Sequence, residues 1–408
     1  MNLPAYVKNC IEALESAGFS AYAVGGAVRD SLLGTTPSDW DVTTSANPEQ
    51  TLEVFTNKRT IPTGIKHGTV TVLFEENEKS VPIEITTFRI DGQYLDSRHP
   101  ESVSFSHDVR DDLSRRDFTV NAMAYNENEG LIDVFGGADD LKNKIIRTVG
   151  DPEVRFTEDA LRILRAFRFS AQLGFEIESN TLIGAQKCAH LLKNIARERV
   201  GAEFKKLLIS KNPSYALNKM VELGVWGAIF ENIPTPTEET IYKIENLPRI
   251  FESRLACLTS ELDQNSFSDL LNSLRLSNDE KRLTERLRGV KCFDFGGTDA
   301  EISARRFLHL YNNVLDAALS VAEFFNGTEE MMPFKRMVLE ESRKRRPLGI
   351  SDLAIRGGDI LPYCENDYSL VGKTLSHLLA KVIDNPSLNK REELIEMAKN
   401  YINMNNFD

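Results

Sequence analysis

The chain has no cysteine pairing to speak of. Its five cysteines, Cys10, Cys188, Cys257, Cys292 and Cys364, are odd in number and far apart. No C-x-x-C pair occurs, which argues against a disulfide framework or a cysteine zinc site and favours a reducing cytosol. No apolar run reaches the roughly 20 residues that span a bilayer. The start, Met1-Asn2-Leu3-Pro4-Ala5, lacks a charged-then-apolar pattern, so no secretory or organellar address is expected. No G-x-x-x-x-G-K occurs, which excludes a P-loop. Neither a fixed-period repeat nor a low-complexity linker stands out, so the domains are expected to touch rather than swing freely. Positive charge is also short. The net charge is −12, so any surface that grips nucleic acid must be local, and the acidic total favours release.

What is present is ordinary in bulk. The 408 residues are 41% hydrophobic and 27% charged, enough to bury a real core. Up to about residue 147 the pattern is mixed. Gly68-Thr69-Val70-Thr71-Val72-Leu73-Phe74 and Val81-Pro82-Ile83-Glu84-Ile85-Thr86-Thr87-Phe88 read as strands. Val7 to Ser16 and Pro48 to Phe55 read as helices, with Pro48 in a first turn where a missing N–H costs little. From about 151 onward helices dominate, divided by turns such as Lys211-Asn212-Pro213, Pro234-Thr235-Pro236 and Gly296-Gly297-Thr298. Boundaries are expected near 147, 210 and 335.

Three constellations carry chemistry. The first is Gly25-Gly26-Ala27-Val28-Arg29-Asp30 followed by Asp39-Trp40-Asp41. The former reads as a strand running into a glycine turn, where a phosphate can approach the backbone. The latter, if a strand, points both acids to one face. Two acids side by side repel unless a cation lies between them, which suggests Mg²⁺ and a nucleoside triphosphate. Two metals about 3.5–4 Å apart would neutralise the triphosphate and activate an attacking hydroxyl. Asp39 and Asp41 are the candidate ligands, and Glu84 is the candidate third carboxylate from an adjacent strand. Gly26 by its N–H and Arg29 by its charge would hold the triphosphate. A solvated acidic turn, a surface Glu84 and a structural Arg29–Asp30 ion pair are the bland alternatives.

The second is Ser114-Arg115-Arg116-Asp117-Phe118-Thr119-Val120-Asn121-Ala122. Arg116 could bind a ribose or phosphate, and Asp117 could accept from a ribose hydroxyl, the group that separates ribose from deoxyribose. The alternative is an interdomain salt bridge. The third runs from Phe156 to Phe169, with Thr157 as the expected N-cap and Glu158 and Asp159 complementing the helix end. Arg162, Arg165 and Arg168 recur every three residues, each step about 60° short of a full turn. They sweep one flank while Ile163, Leu164 and Phe167 face a core. Three unpaired cations there call for an anionic partner, triphosphate or RNA. A carboxylate at Asp159 accepts and a guanidinium at Arg162 donates. Cytosine and adenine place an amino group where the carboxylate would sit; uracil and guanine place a carbonyl. Such a pair could accept C and A and reject U and G.

These residues together resemble the class II tRNA nucleotidyltransferases, the CCA-adding enzymes, which share a superfamily with bacterial poly(A) polymerases. The likeness covers G-G-A-V-R-D, D-W-D and R-R-D-F-T-V-N-A-M-A. It continues through Asp133-Val134-Phe135-Gly136-Gly137, E-D-A-L-R-I-L-R-A-F-R-F and Arg197-Glu198-Arg199-Val200 to D-L-A-I-R-G-G-D-I and V-G-K-T-L. It implies an α+β fold: a polymerase-beta-like nucleotidyltransferase head (1–147), a helical neck that recognises the base (148–210), a helical body (211–335) and a helical tail that binds tRNA (336–408). It implies template-independent addition of C, C and A to tRNA 3′ ends from CTP and ATP, with Mg²⁺, in the cytoplasm. It carries over Asp39 and Asp41 to metal. Gly26, Arg29, Arg116, Asp159, Arg162, Arg165 and Arg168 go to the nucleotide.

Arg89 to Pro100 resembles a flexible loop that family members need for the final A. That argues against a CC-only enzyme and leaves an A-only enzyme as the near alternative. Ala160 stands where the poly(A) polymerases usually have proline, which makes them a remoter one. A catalytically silent RNA-binding protein is the alternative from another class. His107-Asp108 is a coincidental pair, since His190, His309 and His377 have no matching acids. For RNA contact, Arg343, Lys344, Arg345 and Arg346 are nominated, with Lys281, Arg282, Arg286 and Arg288, and Lys373.

Overall fold

A computed structural model describes the chain apart from residues 63, 77, 92–102, 298, 365–366 and 406–408. It divides into two compact units, one of Met1–Glu245 with Leu262–Leu276, the other of Asn246–Glu261 with Ser277–Asp408.

The first unit begins with α1 (Ala5–Ser16), β1 (Ala21–Val24), α2 (Gly26–Leu32), β2 (Asp41–Thr44), α3 (Pro48–Val54), β3 (Thr60–Ile61), β4 (Thr69–Glu76) and β5 (Lys79–Thr87). After β6 (Arg89–Asp91), β7 (Val103–Phe105) and α4 (Val109–Ser114) come β8 (Met123–Asn126), β9 (Gly130–Asp133), α5 (Gly137–Asn143) and β10 (Ile145–Ile146). Seven strands form one sheet in the order β3-β4-β5-β2-β1-β8-β9. The apolar spacing of α1 explains its seat: Val7, Cys10, Ile11 and Leu14 are buried, a single helical stripe. Alternation explains the strands. Val70, Val72 and Phe74 on β4 and Ile83 and Ile85 on β5 are buried, while the residues between them look outward. Asn47 and Gln50 form a capping box around Pro48 at the start of α3, as the proline's position predicts.

Helices follow: α6 (Pro152–Glu158), α7 (Leu161–Leu173), the short β11 (Glu176–Ile177) paired in parallel with β10, α8 (Ser179–Cys188) and α9 (Arg197–Leu208). Ile163, Leu164 and Phe167 are buried on α7, and Phe169 meets Phe118 edge-on, ring centres 5.7 Å apart. The second unit is helical. One of its cores gathers Ile360, Leu378, Val382, Leu394 and Ala398.

Candidate active site

The acids sit where β2 begins. Asp41 is its first residue and lies in register beside Glu84 of the parallel neighbour β5, so the two carboxylates share one face. Asp39 does not belong to the strand. It precedes it, exposed, and accepts a hydrogen bond from the Ser38 hydroxyl. The pleat therefore does not align Asp39 with Asp41 as the alternation predicts; the buried Trp40 between them anchors the approach to the strand. The Asp41 carboxyl is pushed up to about 6, first by the protein packed around it and then by the Glu84 charge. Asp39 adds to the rise and Arg116 opposes it. Carboxylates crowded in this way fit a divalent cation, which would relieve the repulsion. Among the described residues no group of three or more His, Cys, Asp or Glu is arranged to hold a metal.

The glycine turn lies alongside. Gly25 has φ +74°, and a Cβ there would stand 3.0 Å from Arg116 Nη1. A side chain would be strained and would also displace that guanidinium. Arg116 donates to Asp112 at 3.1 Å, and its Nε is buried without a hydrogen-bond partner. Arg29 is committed elsewhere. It pairs with Asp30 at 2.7 Å, donates to Asn121 Oδ1 at 2.6 Å and lies 5.3 Å from the centre of the Phe169 ring. The structural ion pair, the alternative for Arg29, is what the fold contains.

A cavity of about 250 Å³ is lined by Arg115, Arg116, Asp117, Asp159, Arg162 and Arg165. It unites the second and third sequence constellations. Its arginines are not the bare cations that the spacing implies. Arg162 donates to Glu158 at 2.5 Å and to the Arg115 carbonyl at 3.1 Å. Arg165 donates to Asp117 through Nε at 2.8 Å and pairs with it through Nη2 at 2.6 Å. Arg168 is buried outside the cavity, paired with Glu203 at 2.5 Å and 3.8 Å from the centre of the Phe169 ring. Burial alone pushes the Asp117 carboxyl up, but the Arg165 charge and the hydrogen bonds from Arg165 and Asn121 hold it below the usual range.

Thr157 is not a cap. It lies inside α6, whose N-cap is Asp151, and the chain breaks at Asp159 before α7 starts. At that break the Asp159 carboxylate is held on both oxygens. One oxygen accepts from the Leu161 N–H at 3.0 Å and the other from Arg199 at 2.8 Å. Sequence reading passed over Asp112, which holds Arg115 and Arg116 together; its spacing three and four residues ahead of them on α4 was the available signal. It also passed over Arg115 as a lining residue and Glu203 as a partner.

In the second unit, Arg343 ends the helix Thr328–Arg343. Two of the four basic residues there pair with the buried Glu341, Lys344 at 2.5 Å and Arg346 at 3.8 Å, and Arg305 also approaches it at 3.5 Å. Arg343 and Arg345 are exposed, as is Lys373 on the helix Tyr368–Asp384. Of the loop-like segment, residues 92–100 lie outside the described residues.

Residues 21–147 match the poly A polymerase head domain, and residues 174–235 match the probable RNA and SrmB-binding site of polymerase A. A CCA-adding enzyme of Limosilactobacillus fermentum is 34% identical over 398 residues, 94% of each chain. One from Ligilactobacillus salivarius is 33% identical over 407 residues, 98% of this chain and 97% of that one. The chain belongs to the CCA-adding enzyme family. It is thus an enzyme of the nucleotidyltransferase class, a class that works with divalent metal ions. The crystal structure of the Bacillus stearothermophilus CCA-adding enzyme in complex with CTP superimposes with a TM-score of 0.83 at 28% identity, covering 100% of this chain and 99% of that one. Its agreement supports the nucleotidyltransferase head and helical remainder. No helix among the described residues is long and apolar enough to cross a membrane.

Proposed function

We propose that this CCA-adding family member adds C, C and A to tRNA 3′ ends from CTP and ATP without a nucleic-acid template, releasing pyrophosphate. The observation that carries this reading is the 250 Å³ cavity that Asp159 and Arg162 both line. Cytosine and adenine each offer an amino donor to the Asp159 carboxylate beside a ring acceptor for the Arg162 guanidinium. Carbonyl groups of uracil and guanine would face the carboxylate and be repelled.

The remaining residues divide the task by place. Arg116 by its charge and Gly26 by its N–H hold the triphosphate. Asp117, fixed by Arg165, presents a carboxylate to a ribose hydroxyl. Asp39, Asp41 and Glu84 face the reacting phosphate and the terminal RNA hydroxyl. When bound by Asp39 and Asp41, Mg²⁺ would neutralise triphosphate charge and lower the hydroxyl's proton affinity. Of the nominated tail patch, Arg343, Arg345 and Lys373 offer charge to tRNA away from Glu341, whereas Lys344 and Arg346 are paired with it. Division into head, neck, body and tail near 147, 210 and 335 belongs to the same reading, as does a cytosolic location, which suits five free cysteines of which four are buried.

The test offers the full-length protein a tRNA ending at its discriminator base, with CTP, ATP and Mg²⁺. Addition of all three nucleotides is expected. Failure to add C, with A added to a tRNA already ending in CC, would make it an A-only enzyme. Loss of incorporation in Asp39→Ala, with tRNA binding retained, would assign the acids; unchanged turnover would remove them from the mechanism.

A further inference from the structure

The two oxygens of Asp117, the carboxylate assigned to the ribose, are held by different parts of the first unit. Oδ2 accepts from Arg165 of α7 through Nε at 2.8 Å and pairs with its Nη2 at 2.6 Å. Oδ1 accepts from two neutral donors, the Phe118 N–H at 2.9 Å and Asn121 Nδ2 at 3.3 Å. Neutral hydrogen bonds are weaker than charge-assisted ones, so Oδ1 is the oxygen with more to give to a sugar hydroxyl. The Phe118 N–H belongs to the next peptide and moves with Asp117 itself. Asn121, buried at the end of the short turn Thr119–Asn121, is the donor that brings a reference from elsewhere in the fold.

That reference is the glycine turn. Asn121 Oδ1 accepts from Arg29 Nη1 at 2.6 Å, across 92 residues of chain. Arg29 lies in α2, whose first residue is Gly26. A Cβ on Gly26 would stand 3.5 Å from Arg29 Nη2, so the guanidinium lies against the turn whose N–H serves the triphosphate. Asp30 and the Phe169 ring also hold that guanidinium. A path of side chains thus runs from the turn through Arg29 and Asn121 to Asp117 and Arg165. The chemistry at its middle is restrictive. A guanidinium only donates and a carboxylate only accepts. An amide meets both at once, its oxygen toward Arg29 and its NH₂ toward Asp117. The reverse orientation would set donor against donor and acceptor against acceptor. A carboxylate in that place would serve Arg29 and repel Asp117, and an alkyl group would serve neither.

We propose that Asn121 is a positioning residue for the nucleotide's sugar: it fixes the Asp117 carboxylate relative to the glycine turn, and the preference for a ribonucleotide over a deoxyribonucleotide depends on it. The inference rests on the reading of Asp117 as the partner of the ribose hydroxyl. Its test compares full-length wild type, Asn121→Asp, Asn121→Ala and Asp117→Asn in steady-state addition to a tRNA ending at the discriminator base, with CTP or dCTP and Mg²⁺. Asn121→Asp keeps the acceptor for Arg29 and removes the donor to Asp117. It should lower kcat/KM for CTP about tenfold, the loss of one hydrogen bond to a charged group, and that for dCTP by less than about twofold, because dCTP has no hydroxyl to place. Asn121→Ala should narrow the CTP/dCTP ratio about as far. With Asp117→Asn already in place, Asn121→Ala should change the ratio by less than about twofold, since the two side chains act as one unit. A variant that melts like wild type but loses equally with both nucleotides would mark a merely structural amide and overturn the proposal. An unchanged ratio, or independent losses in the double variant, would do the same. If Asn121→Asp does not fold, the ratio in Asn121→Ala decides by the same criterion. An unchanged ratio in Asp117→Asn would overturn the ribose reading of Asp117 and this inference with it. A wild type that extends no tRNA would overturn the functional reading instead, and the Kd values for CTP and dCTP, titrated with each variant, would still decide Asn121.

Discussion

Asp112→Asn tests how the cavity's arginines are held. The Asp112 side chain is fully buried. One oxygen accepts from Arg115 Nε at 3.0 Å and Nη2 at 2.6 Å; the other accepts from Arg116 Nη2 at 3.1 Å. An amide of the same size removes the charge and turns an NH₂ toward one of the two guanidinium groups. Breaking a fully buried pair costs about 3–5 kcal/mol. The partners are 17% and 20% exposed, so part of their charge returns to water and about 2–3 kcal/mol is expected. The sign with pH follows. Burial raises the Asp112 carboxyl, but Arg116 and Arg115 outweigh it and hold it below the ordinary value. Its stabilisation is therefore present above the unfolded-state pKa, roughly 4, and is lost as pH falls through the lower folded value. Urea unfolding at pH 7 and near pH 3.5 should show the gap between wild type and Asp112→Asn narrowing at the acid end. A difference under about 0.5 kcal/mol at pH 7, or one that does not narrow, would refute the reasoning.

Three further outcomes follow from the same geometry. In metal-free protein labelled at aspartate Cγ, NMR titration should find Asp41 ionising near 6. Glu84→Gln should move it down, because one of the charges that raises it is gone, and because the folded value is raised, the stability tied to Asp41 is largest below the unfolded pKa and fades as pH rises through 6. Arg162→Lys should keep the charge yet lower the preference for CTP over UTP by about tenfold, since an ammonium cannot present the planar fork, and single-turnover incorporation with each nucleotide measures it. Glu341→Gln should destabilise the second unit by about 2–4 kcal/mol in chemical unfolding, because it strips the shared partner of Arg305, Lys344 and Arg346, whereas Arg343→Ala should change stability by less than about 0.5 kcal/mol.

The elements were legible where one period ruled a segment. Val70, Val72 and Phe74 alternate, and Val7, Ile11 and Leu14 recur helically, so strand and helix follow with little help from distant chain. The acids were legible as chemistry but not as geometry. D-x-D suggests a strand, yet the pairing of β2 starts at Asp41 because Val24 is its last partner on β1 and Glu84 its partner on β5. The helix boundary near Thr157 was misplaced for a local reason: Asp151-Pro152 is itself a helix start, so the periodic run contains two helices and a break at Asp159.

Charge pairing was the least legible feature, and it changes what the site does. Arg165 and Arg168 look bare in sequence because Asp117 and Glu203 stand 48 and 35 residues away from them. Once the pairs are drawn, Arg115 and Arg116 answer to Asp112, Arg162 to Glu158 and Arg165 to Asp117. The cavity does not then draw a nucleotide by surplus positive charge, which an arginine flank alone would imply. Each guanidinium is instead fixed by a carboxylate behind it, so its orientation is set before any base arrives. Fixed donors lose little freedom on binding. A base that matches them gains its hydrogen bonds, and one that does not leaves polar groups unmet at a cost. Discrimination by a protein acting in place of a complementary strand requires that stiffness more than it requires charge.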